Sequence, residues 1–201
     1  RGKEAKHMRS LRTVLFSVFL TSGVIGSPAS SEVVLHLYGY QGESVDAVID
    51  WGSPEANATC QRIVQGAGQT VSCAAAATSD QVRISGIVPQ FGPGDSAPTG
   101  NSVSRVVSWG NVGLKSLDGA FKGNPRLASV PAKLPDSVQN ISRVFKNATN
   151  FAQDLSLWGM STWNITLADE AFDGAISQSS DLSRLCWRGV PVEAEGFRGR
   201  S

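Results

Sequence analysis

The sequence is poor in the residues that carry most protein chemistry. Among 201 residues there are two His, three Cys, two Met and two Tyr. No Gly-x-Ser-x-Gly or His-Glu-x-x-His motif occurs, which counts against a hydrolase of either type. No Cys-x-x-Cys pair occurs, so dithiol redox catalysis and zinc binding lack support. Gly-rich stretches at 66–68 and 92–94 are not followed by Lys-Ser/Thr, so they are not phosphate cradles. His36 is the only His after Met8, and it sits in an apolar, strand-like run. A structural role is expected there, because a catalytic base also needs a placed partner. Asp169-Glu170 reads as solvated surface, since neighbouring residues on a helix point in different directions.

Charge is scarce too. Charged residues make up 17% and the net charge is +1. That excludes a nucleic-acid binder that works through a general basic field. With charges below the usual quarter, the surface must be covered by Ser, Thr, Asn, Gln and Gly, as is common in extracellular proteins. The hydrophobic fraction of 41% excludes wholesale disorder. The length allows one large or two small domains. No metal or cofactor site is expected.

Met8-Arg9-Ser10-Leu11-Arg12 is a basic start, followed by the apolar run Thr13–Leu20 and small residues through Gly26-Ser27-Pro28-Ala29. This is the layout of a secretory signal, with a cut expected after Ala29 or one or two residues later. The apolar run falls short of the roughly 20 residues that span a bilayer. A buried strand or helix at the domain edge is the alternative reading. Arg1–His7 precede the expected start at Met8 and are left out of the fold reading. Removing residues 1–29 takes away five basic residues and one acid, and +1 becomes −3.

Residues 30–100 are punctuated at intervals of about ten by Gly, Pro and Asn. Between the breaks stand Ser31–Tyr38, Val45–Trp51, Ile63-Val64, Thr70–Cys73 and Gln81–Ser85. Short β-branched and aromatic runs of this kind predict an antiparallel β-sandwich, with Val82 and Ile84 on one side and Gln81, Arg83 and Ser85 on the other. Cys60 and Cys73 are thirteen positions apart. In a secreted chain they are candidates for a disulfide, and in an intracellular one for two buried thiols. Cys186 is then left over, either buried or linking two chains. Gly92–Gly100 is turn-rich and marks a domain boundary.

Residues 101–201 carry a repeat. Phe121, Phe145 and Phe172 are 24 and 27 residues apart. Seven positions before each stands an aliphatic, Leu114, Val138 or Ile165; four before stands Leu117, Ile141 or Ala168. That spacing predicts a short helix with one apolar face. A Gly/Asn turn and an extended piece follow, ending at Leu134, Trp158 and Leu185. A unit of this size cannot bury its apolar side alone, whereas stacked neighbours can.

Two resemblances carry named residues. Ile49-Asp50-Trp51-Gly52 and the closing run Val82-Arg83-Ile84-Ser85-Gly86 resemble a polycystic-kidney-disease-type (PKD-like), immunoglobulin-like sandwich domain. Ser53-Pro54 stands where that family often has an acidic residue and a Gly, which leaves a metal-binding turn at Asp50 without support. The stretch Phe145–Trp158 is similar to the repeat of BspA-like leucine-rich-repeat surface proteins, known also from mycoplasma-type surface lipoproteins. Val144 stands for the usual Met and Ala152 for the usual Asn. The third copy departs further and resembles a closing unit through Phe197, and the first resembles an opening unit at Val130-Pro131 and Leu134-Pro135.

The resemblances imply an all-β sandwich at 30–100 followed by a short α/β leucine-rich-repeat solenoid at 101–201. They imply a secreted or cell-surface, non-enzymatic interaction or adhesion protein with a protein or glycan ligand. With Leu155 and Leu182 inward, Asp154, Ser156, Asp181 and Ser183 face outward by alternation and form the candidate binding strip. The alternative is a carbohydrate-binding module that stacks sugars on exposed Trp, with Trp163 freer than Trp158. Four Asn-x-Ser/Thr sequons begin at Asn57, Asn140, Asn147 and Asn164. The polar C-terminus shows no apolar tail, so no stable membrane span or anchor is expected.

Overall fold

The structure, a computed structural model, describes residues 16–19, 32–74, 81–155, 157–158 and 164–175. Its strands are β1 (Phe16–Phe19), β2 (Val33–Tyr38), β3 (Val45–Asp50), β4 (Ile63–Gly66), β5 (Gly68–Cys73), β6 (Gln81–Ile87), β7 (Gln90–Phe91) and β8 (Arg105–Ser108). One short helix, α1 (Pro54–Thr59), lies between β3 and β4. The strands form two antiparallel sheets, ordered β4-β3-β6-β1-β8 and β5-β2-β7. The protein is thus β-rich, as the short runs and their punctuation predict.

The registers follow from the alternation of apolar residues. In β3, Val45, Ala47 and Ile49 are buried while Asp46 and Val48 face out; in β6, Val82 and Ile84 are buried. Pairing Ile49 with Ile84 and Ala47 with Val64 puts these apolar sets on one face. A slip of one residue would turn all of them to solvent. Their apolar side chains join Leu35, Leu37 and Val71 of the second sheet in a shared core.

The helix α1 is a local feature that strand-seeking passes over, although Ser53-Pro54-Glu55 announces it. The Ser53 hydroxyl accepts from the Ala56 N–H (3.1 Å), and Pro54 opens the helix where its missing N–H costs nothing. Beside it, the Asp50-Trp51-Gly52 corner is closed by Asn57. The Asn57 side chain accepts from the Trp51 N–H (2.8 Å) and donates to Asp50 (2.7 Å). The hydrogen bonds from Asn57 and from the Gly52 N–H hold the Asp50 carboxyl below its ordinary range. Asp50 and the sequon residue Asn57 are therefore engaged in building a corner.

Cys60 and Cys73 form a disulfide with Cα atoms 5.5 Å apart. Cys60 closes α1, attached to the five-stranded sheet, and Cys73 ends β5 in the other sheet. The bond therefore links the two sheets.

The turn-rich segment 92–100 packs tightly onto the first repeat unit. The N–H groups of Gly94, Gly100 and Asn101 donate to the carbonyls of Asp118, Lys122 and Ala120, at 3.0, 2.7 and 2.8 Å. A Cβ on Gly100 would stand 2.5 Å from the Ala120 carbonyl oxygen, so only glycine fits this approach. The fully buried Asn101 joins the halves. Its side-chain oxygen accepts from the His36 N–H (2.6 Å) and its amide donates to Ala120 (2.9 Å). Asn101→Ala strands that buried N–H and is expected to lower stability by about 1–3 kcal/mol, read by urea unfolding. An unchanged midpoint would mean that the amide does not serve as this link.

The hydrophobic core is continuous from Val33 to Ala175 and spans both halves. β8, although it lies beyond residue 100, joins the first sheet through β1. Among the described residues no helix is long and apolar enough to cross a membrane.

Candidate functional site

The three units centred on Phe121, Phe145 and Phe172 lie over one another. Isolated parallel bridges run Gln90 to Ser116, Ser116 to Asn140, and Asn140 to Leu167. Alternate N–H groups reach the next unit: Leu117, Gly119, Phe121 and Gly123 donate to Asn140, Ser142, Val144 and Lys146, at 2.7–2.9 Å. Ile141, Arg143, Phe145 and Asn147 donate in the same way to Leu167, Asp169, Ala171 and Asp173. The intervening N–H groups stay within their unit, as in Ala120 to Leu117 and Val144 to Ile141.

This pattern corrects the expected helix. The described part of each unit is a string of turns, with no α-helix. The reason lies in the backbone. Gly119, Arg143 and Glu170 have φ of 66°, 53° and 54°, and Gly123, Asn147 and Gly174 have φ of 64°, 57° and 68°. A left-handed residue every fourth position ends the helical N–H to C=O register and turns alternate donors outward. The Gly and Asn spellings at 123, 147 and 174 suit this; Arg143 and Glu170 do not, and sequence periodicity missed them.

The unit aromatics stack in a column. Phe91 of β7 begins it, 6.1 Å from Phe121; Phe145 follows at 5.7 Å and Phe172 at 5.6 Å. Phe151 stacks on Phe145 at 4.3 Å, and Trp158 lies 5.6 Å from it. Leu114, Leu117, Val138, Ile141, Ile165 and Ala168 are all buried beside the column. Side-chain amides tie one unit's return segment to another. Gln153 both accepts from and donates to the Val130 backbone (2.7 and 2.9 Å), and the Trp158 indole donates to Pro131 (3.0 Å). The buried Asn124 donates to the carbonyls of Asn101 (2.9 Å) and Val103 (2.7 Å).

A second ladder is ionic. Arg143 grips Asp118 with two hydrogen bonds (3.1 and 2.8 Å) and also contacts Asp95 (3.0 Å). Lys146 bridges Glu170 (2.7 Å) and Asp173 (3.6 Å). Lys115 pairs with Glu43 and so ties the first sheet region to the first unit. Burial pushes the Asp118 carboxyl up, against the pull of Arg143. Each named cation already faces an anion, so this rail works as cross-unit bonding and not as an open charged pocket. Among the described residues no cluster of His, Cys, Asp and Glu has the makings of a metal site.

Of the expected binding strip, Asp154 is exposed and the adjoining Leu155 is fully buried, as alternation requires. Ser156, Asp181 and Ser183 lie outside the described residues, as do Cys186 and Trp163. Trp51, Trp109 and Trp158 are buried, so none of them offers a face to a sugar. The sequon residues divide in a similar way. Asn140 is buried and accepts from the Ser142 N–H (2.8 Å), whereas Asn147 and Asn164 are exposed.

His36 is buried in β2, with its Nδ1 2.8 Å from the Thr70 hydroxyl. Burial pulls its pKa below 6.5, with Lys122 adding to this and a Gly100 backbone hydrogen bond opposing it. The folded ring therefore holds a proton less readily than the unfolded one. Its share of stability is complete above about pH 6.5 and falls as the pH drops toward the lowered value. Urea unfolding across about pH 5 to 7 should show this loss, and His36→Gln should flatten it. Equal slopes in the two proteins would refute the assignment.

No protein-family model, curated protein or solved structure matches the chain. The residues that sequence reasoning missed are Phe91, Asn101, Asn124 and Arg143. Their partners lie 19 to 65 residues away in most cases, so no local spacing marks them.

Proposed function

We propose that this chain is a secreted or surface-exposed, non-enzymatic interaction protein. In this reading a PKD-like sandwich carries a short leucine-rich-repeat stack of BspA type, and the outward strip at Asp154, Ser156, Asp181 and Ser183 meets a protein partner. The observation that carries the reading is the repeated inter-unit ladder, in which Ser116, Asn140 and Leu167 occupy equivalent bridging positions. Units bonded in that way build an extended face whose outward residues are free to vary. The Cys60–Cys73 bond supports an oxidising compartment. The tightly packed aromatic column and the cross-unit ion pairs suit a scaffold more than a reaction centre.

The test is surface plasmon resonance against a panel of purified extracellular proteins, run beside a glycan array. At least one protein is expected to bind, with affinity lowered about tenfold or more by Asp154→Arg. Unchanged binding of every ligand by Asp154→Arg and Asp181→Arg would remove the strip from the reading. Binding confined to the glycan array would replace it with the carbohydrate alternative.

A further inference from the structure

The strand β1 occupies a place that no removable segment should hold. It lies inside the five-stranded sheet, antiparallel to β6 on one side and to β8 on the other. Phe16, Ser17, Val18 and Phe19 pair with Ile84, Arg83, Val82 and Gln81 of β6. Ser17, Val18 and Phe19 pair with Ser108, Val106 and Arg105 of β8, with an irregularity between Ser17 and Val18. Strands in a sheet lie about 4.8 Å apart, so β6 and β8 flank a slot one strand wide. Emptying it leaves two facing edges without backbone partners and takes from β8 its neighbour in the sheet. The two backbone edges so bared belong to Val82, Ile84 and Val106, themselves 0%, 1% and 2% exposed.

The register supplies the chemical logic of the slot. Phe16 and Val18 are set opposite the buried Ile84 and Val82, and Ser17 opposite the outward Arg83. A ligand with apolar residues at alternate positions satisfies both the pairing and the pattern. The run Thr13–Leu20 has the length of a strand and not of a membrane span.

We infer that the slot between β6 and β8 is a strand-acceptor site, and that the chain's own Phe16–Phe19 is its occupant in the working protein. The Phe16–Phe19 part of the run that has the layout of a secretory signal then stays with the fold as an interior strand, whatever address the run also carries. The inference is separate from the partner reading, because its readouts are mass, cross-linking and amide exchange.

Three measurements on the full chain test it. The intact mass of the natively produced protein should show residues 16–19 still covalently attached. Ser17→Cys with Arg83→Cys, at directly paired positions, should form a disulfide by non-reducing peptide mapping, whereas Ser17→Cys with Val48→Cys should not. Val18→Pro removes a backbone donor in a strand paired on both sides. It should cut amide protection at Val82, Ile84 and Val106 about tenfold or more while leaving Leu35 and Leu37 protected. Two results would overturn the inference. One is a protein that lacks residues 16–19 and keeps full protection along β6 and β8. The other is a natively folded Ser17→Cys/Arg83→Cys protein without the cross-link.

Discussion

Phe145→Ala is expected to lower stability by about 3–5 kcal/mol, the largest effect of any single truncation considered. Phe145 is fully buried and central to the column, with Phe121, Phe151, Trp158 and Phe172 all within 5.7 Å between ring centroids. Removing the ring leaves a cavity, and its walls belong to three units that are also fixed to one another by backbone bonds. They cannot collapse inward without breaking Phe121 N–H to Val144 and Phe145 N–H to Ala171, both 2.9 Å. The loss should therefore sit at the cavity-dominated end of the range. Phe145→Leu keeps much of the volume and should cost far less. Urea denaturation followed by tryptophan fluorescence reads both, since Trp158 lies in the same cluster. A Phe145→Ala loss under about 1 kcal/mol would show that the column is not a single packed body.

The second large effect belongs to the disulfide. Replacing Cys60 and Cys73 together by Ala should cost about 3 kcal/mol, the loop-closure value for a short closed loop. The bond links the end of α1 on one sheet to the end of β5 on the other. Its removal should loosen the packing of sheet on sheet more than the repeat units. Thermal unfolding without reductant should show the lowered midpoint. Wild-type protein with reductant should approach the mutant. Equal midpoints for wild type and the double mutant would mean that the bond contributes nothing to stability. Because Cys73 is 1% exposed, the alanine variant also loses a buried sulfur, and the reductant experiment separates the two contributions.

Much of the first half is legible in the sequence. β2, β3, β5 and β6 fall on the runs read as strands, because a half-buried strand must alternate and must be interrupted where the chain turns. The Cys60–Cys73 pairing was legible as a possibility. The opening unit's helix was misread for a specific reason. The i, i+3, i+7 spacing of Leu114, Leu117 and Phe121 marks residues that share a face, and a string of turns with left-handed residues shares faces at similar intervals. Periodicity reports which residues go inward; it does not report the sign of φ. Gly123 and Gly174 hint at it, while Arg143 and Glu170 also have positive φ and bond across units, Arg143 N–H to Asp169 and Glu170 to the Lys146 ammonium, contacts that local sequence does not display.

The candidate strip is legible only as alternation; Asp154 is exposed and Leu155 buried, and the other strip residues lie outside the described ones. What holds the face in place was not legible. Gln153 on Val130, Asn101 on His36, and Arg143 on Asp118 and Asp95 all cross 23 residues or more. The same holds for β1, whose apolar residues signal burial or export equally well, and whose pairing with β6 lies some 65 residues along the chain.

The sequence by itself determined which residues are apolar, where the chain must turn and at what interval the units recur. Those properties depend on hydrophobicity and local backbone preference, and both are written in neighbouring residues. Only the tertiary structure decided that the units would be turns bonded edge to edge, that the disulfide would span two sheets, and that Phe16–Phe19 would sit between β6 and β8. Each of these is set by a competition among distant partners for buried hydrogen bonds and core volume. That competition has no local signature, because its outcome depends on which surfaces the rest of the chain leaves uncovered.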